Sequence, residues 1–452
     1  MFMQLKLIGA FVVSLSFAAT AAEAQTAPKA FTLKECIQYG LEHHPSVEIY
    51  ANNAEKARQT AREALSAYLP QVNVNAGLDD NIKLQQTIIP AGTFGPGTPE
   101  QRVSFGTQYN SSMMVQVDQK IYDQSALVGI KANEPNKQYA QLQVAQNKEV
   151  LIYNIASAYY QIMVAQKQLS LLQSNKARFE QILQVTKLQA EQGVAKKVDV
   201  KQVQVNLNNV LSQISTTENT LDMALNTLKN NIGLSMSDSI VLSDTSRWLN
   251  ASPSIQPYPG FDYASTLDGQ LQRIEMDLYD LKRKSIKAQA IPTVSVYARY
   301  GANGFAEELS NAYSPLFDYS AVGVKLAWNI FTGFRRDAQY KEAAIDLKNA
   351  MVNYRLNEAT QNLQYQNAEA QSQEARATIL TNKENMALAG EVYDNTTLQY
   401  KQGVASLSDL LNAELSYKEA QNNYINSLLQ YYIADLAVQK ANGTLEQYFN
   451  KL

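Results

Sequence analysis

Four stretches of the chain alternate between apolar and polar residues with a period of two. In the first, Val72, Val74, Ala76 and Leu78 oppose Asn73, Asn75, Gly77 and Asp79. In the second, Tyr109, Met113, Val115 and Val117 oppose Gln108, Asn110, Gln116 and Asp118. In the third, Val294, Val296, Ala298 and Tyr300 oppose Thr293, Ser295 and Arg299. In the fourth, Val322, Val324, Leu326, Trp328 and Ile330 oppose Gly323, Lys325 and Asn329. A period of two predicts strands at about 69–80, 104–122, 291–303 and 317–331. Pro70 and Pro292 stand where a preceding helix must stop. Between the strand pairs the apolar positions form thin lines at helical spacing, such as Leu356, Ala359 and Leu363. They predict long helices at about 125–192 and 333–402 and return helices at about 197–232 and 406–441. From Gly333 to Gln402 there is no proline, and Gly390 is the only interior glycine. At 1.5 Å per residue such a helix is roughly 100 Å long. Pro135 lies inside the first long helix and predicts a kink or a late helix start.

The pattern is written twice. Leu188 to Ala195 (LQAEQGVA) matches Leu398 to Ala405 (LQYKQGVA) at an offset of 403 − 193 = 210. Val115 pairs with Val324 at an offset of 209, and Pro70 with Pro292 at 222. The first copy therefore carries 222 − 209 = 13 extra residues, around the Gly/Pro-rich stretch 89–99. Gly193 and Gly403 suit the residue after a helix C-terminus. Asp199 and Asp409 then fall near the starts of the return helices, where a carboxylate suits the helix dipole. The reading is a mostly α protein made of two tandem helix-strand-strand-helix-helix repeats. Residues 25–232 form the first repeat and 263–452 the second. A Ser, Asp and Pro-rich connector at 233–262 joins them.

Composition sharpens this picture. With 452 residues, a general size prior gives about three domains. Only 19 glycines and 12 prolines are present, which suits long uninterrupted helices. Charged residues are 18%, so uncharged Gln, Asn, Ser and Thr supply much of the polarity. Helices wet on two faces, as in a hollow cylinder, suit that balance; a soluble coiled coil is the plainer alternative. The net charge of −3 argues against a nucleic-acid partner. Cys36 is the only cysteine, and the two histidines, His43 and His44, are adjacent, so they do not share a helix face. Neither a Cys-cluster metal site nor a His-based catalytic site is expected, and no catalytic residue, metal or cofactor is assigned.

Residues 1–24 read as a secretory signal. Lys6 precedes an apolar run from Leu7 to Phe17, and Ala22-Glu23-Ala24 fits the small-x-small cleavage rule before Gln25. Beyond it no run of ~18 apolar residues marks a membrane helix. The mean hydropathy of −0.29 likewise argues against a multi-span helical membrane protein. Alternating strands of this length match transmembrane β-barrel strands, for which Val322, Val324, Leu326 and Trp328 are lipid-facing or interface candidates. Four strands do not close a barrel, and open edges in lipid leave unpaired backbone groups. Sharing one barrel among several chains solves that problem; two amphipathic hairpins on a soluble protein are the alternative.

The chain resembles the TolC family of outer-membrane efflux proteins. The resemblance rests on Phe31-Thr32-Leu33-Lys34-Glu35-Cys36-Ile37, on the Leu69-Pro70 and Ile291-Pro292 steps, and above all on the stretch from Tyr400 to Ala413 (YKQGVASLSDLLNA). It continues through Tyr417, Ala420, Tyr424 and Ala441 to Leu445 (ANGTL). The resemblance implies a homotrimeric α/β barrel with a four-stranded transmembrane β segment from each chain. It also implies a helical tunnel through the periplasm and an equatorial belt from 233–262 and the C-terminal segment. The implied function is a passive exit duct in the outer membrane of a Gram-negative bacterium. The duct would dock to a periplasmic membrane-fusion adaptor and an inner-membrane pump of RND or ABC type. Gly193, Val194, Ala195, Gly403, Val404 and Ala405 match hairpin tips gripped by the adaptor. Asp199, Tyr400 and Asp409 match positions that close the entrance or line it with negative charge. Ala405 stands where tightly closed relatives have Arg, and Asn412 where they have a second acidic residue. An exit duct for type I protein secretion and a soluble periplasmic coiled-coil scaffold are the competing readings.

Overall fold

The structure, a computed structural model, describes residues 29–249 and 258–452. The signal expected at 1–24 lies outside the described residues, as does the 250–257 part of the connector. In chain order the elements are β1 (Lys29–Phe31), α1 (Leu33–His43), α2 (Pro45–Ser66), β2 (Gln71–Asp80), β3 (Gln86–Ile89), β4 (Gln101–Ser104) and β5 (Tyr109–Tyr122). Then follow α3 (Gln124–Lys131), α4 (Asn133–Glu191), α5 (Lys197–Ile232), β6 (Ile240–Leu242) and α6 (Thr245–Leu249). The second half holds α7 (Leu267–Ala288), β7 (Thr293–Ala306), β8 (Leu316–Ala327), α8 (Arg335–Lys401), α9 (Leu407–Ala441) and α10 (Leu445–Lys451).

The main sheet has the order β2-β5-β7-β8, antiparallel throughout. The two repeats meet at the β5–β7 pair. One row across the sheet reads Val72, Val117, Ala298, Val322, so alternation in four separate segments becomes one continuous apolar face. Two aromatic rings lie over glycines on the neighbouring strand. Tyr319 faces Gly301 and Tyr297 faces Gly323, and a Cβ at either glycine would come within 2.8 Å and 2.7 Å of the ring. The strands β2 and β8 are unpaired edges.

Three expectations need correction. The fourth strand ends at Ala327, which pairs with Thr293. The next partner would be Pro292, which has no N–H to donate. Trp328 therefore lies past the strand, and its indole N–H donates to the Ala290 carbonyl at 3.0 Å. The helix expected at 125–192 is two helices separated at Ala132. Pro135 sits in the first turn of α4, where its missing N–H costs nothing because that donor has no helical partner anyway. The 233–262 connector is not wholly irregular. Within it β6 pairs in parallel with β1, Lys29 opposite Ile240, and α6 follows. The extra residues of the first copy form a separate hairpin, β3 with β4, whose turn presents exposed Phe94.

The helices α4 (59 residues) and α8 (67 residues) run roughly 90 and 100 Å. The principal core lies midway along them. It joins Leu33, Cys36 and Ile37 of α1, Ile152, Ile155, Tyr159 and Tyr160 of α4, Leu228 and Ile232 of α5, and Ile425, Leu428 and Tyr432 of α9. Trp248 of α6 and Tyr448 of α10 pack against this core, so the connector and the C-terminus meet here, in the region called the belt below. A smaller core lies toward the hairpin tips, with Phe179, Ile182, Val203, Leu207, Tyr393, Tyr400 and Leu410. His44 caps α2, accepting from the Ser46 N–H at 3.2 Å, and His43 stacks on Tyr39 at 4.0 Å.

Candidate functional site

The two hairpin tips are copies of one another at the level of single hydrogen bonds. After α4, Gly193 takes φ +77°, and the N–H groups of Val194 and Ala195 both donate to the Gln189 carbonyl, at 2.8 and 3.1 Å. After α8, Gly403 takes φ +75°, and Val404 and Ala405 donate to the Gln399 carbonyl at 2.9 and 3.3 Å. Only glycine enters this backbone region without steric cost. The turn leaves one valine outward at each tip: Val194 is 79% and Val404 75% exposed.

The two aspartates are helix caps. Asp199 accepts from the Lys196 N–H at 3.0 Å. Asp409 accepts from the Ser406 N–H at 3.0 Å and from the Ser406 hydroxyl at 2.6 Å, while its own N–H donates back to that hydroxyl at 3.2 Å. The Ser406 hydroxyl and N–H hold the Asp409 carboxyl below the usual carboxylate range. Tyr400 is elsewhere. It is buried between α8 and α4, with its hydroxyl donating to Gln189 Oε1 at 3.0 Å and lying 3.1 Å from Thr186 Oγ1. Within one chain the structure thus joins Tyr400 to α4 and leaves Asp199 on its own cap. Asn412 is exposed and lines a groove of about 500 Å³ between α5 and α9, with Gln202, Asn206, Asn209 and Gln213.

At the other end, Val322, Val324 and Leu326 are 84%, 72% and 64% exposed on the edge strand β8. All ten residues of the opposite edge, β2, are exposed. Among the described residues no group of three or more His, Cys, Asp or Glu is placed to hold a metal, and no helix is long and apolar enough to cross a membrane.

Two groups that the sequence reading passed over stand out. One is the aromatic knot of the belt: Tyr160 stacks on Tyr432 at 4.3 Å, both lie edge-on to Trp248, and the Tyr160 and Tyr448 hydroxyls meet at 2.6 Å. The other is a buried carboxylate, Glu414, near the guanidinium of Arg178. Its spacing was the available signal, since Leu410, Tyr417 and Gln421 share its helix face.

An elongated protomer with an unclosed amphipathic sheet at one end and two matched hairpin tips at the other has the fold of an outer-membrane channel subunit. The solved outer-membrane channel OprN superposes with a TM-score of 0.74 at 16% identity, over 97% of this chain and 99% of that one. The family profile of the outer membrane efflux proteins matches residues 36–234 and 271–444, and the chain belongs to that family. The outer membrane protein TolC of Vibrio cholerae is 23% identical over 421 residues, 92% of this chain and 91% of that protein. The alkaline protease secretion protein AprF of Pseudomonas aeruginosa is 23% identical over 308 residues, 67% of this chain and 63% of that protein. The protein is therefore an exit duct of the Gram-negative outer membrane that extends into the periplasm, which sets aside the soluble scaffold. Its family is one of passive channels rather than enzymes.

Proposed function

We propose that three copies pair β8 of each chain with β2 of the next and close one twelve-stranded barrel in the outer membrane. The helices of the three chains then form a single periplasmic tunnel. The open edges of the sheet support this most directly. In lipid each unpaired backbone group costs several kcal/mol, and a partner edge removes that cost. The exposed row from Val322 to Leu326 faces lipid, and Trp328 sits at the rim of the barrel rather than on its wall. An inner-membrane pump, of RND or ABC type, supplies the energy. A periplasmic membrane-fusion adaptor grips the tips through Gly193, Val194 and Ala195 and through Gly403, Val404 and Ala405. Asp199, Asp409 and Asn412 line the entrance. A threefold ring of Asp409 carboxylates concentrates negative charge there and favours cations. Tyr400 stands one layer behind and braces α8 against α4. A second reading, exit of secreted proteins, is kept because AprF is a secretion protein and is as similar in identity as TolC.

Cysteine pairs test the closure. Chains in which Val72 or Val74, together with Val322 or Val324, are replaced by cysteine are oxidised in native membranes. The native thiol does not compete, because burial pushes Cys36 up to about 12. The expected outcome is a ladder ending at three linked chains. A product that stays monomeric for every pair contradicts the proposal.

A further inference from the structure

The tip half of the helical region encloses a carboxyl group that its surroundings satisfy only in part. Glu414 on α9 is 2% exposed; neither carboxylate oxygen makes a hydrogen bond of normal geometry, and the hydroxyl of Tyr393 is the donor turned toward it. It shares its face with Leu410, Tyr417 and Gln421, so the helix turns it inward. Three other helices surround it. From α4 comes Arg178, whose guanidinium lies 5.1 Å from the ring centre of Tyr393 on α8 and 5.0 Å from that of Tyr417 on α9. One Arg178 N–H group donates to Asn175, and its Nε has no partner. Lys418 stands one turn along α9 from Glu414 and is partly buried. The α5 side of the adjoining groove is lined by the uncharged amides of Gln202, Asn206, Asn209 and Gln213. The charged and titratable groups facing Glu414 are thus Arg178, Lys418 and the phenol of Tyr393.

A carboxylate buried with so little donation is costly, while a carboxylic acid in the same place is not. We propose that Glu414 is a proton-binding site in the tie between the two helical hairpins. Protonated, it permits the close packing of α4, α8 and α9; ionised, it loosens that packing. Burial, opposed by Arg178, Lys418 and the Tyr393 hydroxyl, supports this by raising its carboxyl from 4.5 to about 7. A carboxyl raised on packing makes the tie strongest below about 4.5. The tie weakens as pH rises from there toward about 7 and changes little above it. Acidification therefore tightens the tip half, and neutral to alkaline conditions loosen it. The inference rests on packing within one chain and is independent of the closure and entrance readings above.

Hydrogen exchange on the full-length protein in lipid nanodiscs, corrected for the intrinsic pH dependence of exchange, tests it. In the wild type, protection of residues 407–425 is expected to fall about tenfold or more between pH 5.5 and 8. In Glu414→Gln, a neutral isostere, protection is expected to stay high across the range. The belt segment 151–164, which has its own raised carboxyls in Glu149 and Asp435, is expected to give the same profile in both proteins and reports that the variant is folded. Lys418→Met supplies a second check. Removing a cation disfavours the carboxylate, so the midpoint moves to higher pH. A flat wild-type profile, a Glu414→Gln profile that tracks the wild type, or an unmoved midpoint in Lys418→Met overturns the proposal.

Discussion

The belt and the tip half are built on the same long helices, yet they satisfy their buried groups differently. In the belt, Tyr160 is almost fully enclosed, stacked on Tyr432, and its hydroxyl meets that of Tyr448. Tyr159 bonds Asp244, which also accepts from the Trp248 indole at 3.0 Å. Every polar group of this knot has a partner. In the tip half the core is smaller, and at its centre Glu414 and the Arg178 Nε are buried without a hydrogen bond of normal geometry. A large apolar core with satisfied hydroxyls anchors one arrangement. A small core around a partly satisfied carboxyl leaves its packing dependent on conditions. The tip half, where the entrance is proposed to lie, is the region with the smaller core and the weaker tie.

The strongest test of that contrast is at the belt. Tyr160→Ala removes a fully buried ring from the stack and is expected to cost about 3–5 kcal/mol. Denaturant unfolding of the helical region reads this, and a loss below about 1 kcal/mol would show that the belt is not the anchor. A smaller effect is expected near the tips. Tyr400→Phe removes a hydroxyl that contacts both Gln189 and Thr186, at about 1 kcal/mol. The expected readout is roughly fivefold faster exchange in the last turns of α8 with the belt unchanged. Equal loosening of both regions would erase the distinction between them.

The sequence exposed those parts of the molecule whose causes are local. The row from Val72 to Val322 was legible because alternation is written within each strand. The tips were legible because Gly193 and Gly403 each act over a few residues, and their repetition made the match plain. Trp328 was misplaced because the strand ends at a partner's proline, Pro292, which alternation in β8 does not record. The strands β1 and β6 were missed because three residues show no period and are held only by pairing across more than 200 positions. The hairpin of β3 and β4 hid in a stretch that composition marked only as turn-forming. Tyr400 and Asp199 matched tip positions by sequence, but side-chain direction set one inside the hairpin pair and the other on a cap. Glu414 was overlooked for a related reason. An acidic residue on a polar-looking helix reads as solvated until the spacing to Leu410 and Tyr417 is taken seriously.

Membrane fractionation followed by native mass measurement of the detergent-extracted protein separates a barrel shared by three chains from an isolated chain. The protein is expected with the outer membranes, at the mass of three chains. A monomer, whether from soluble periplasm or from membranes, would contradict the shared barrel.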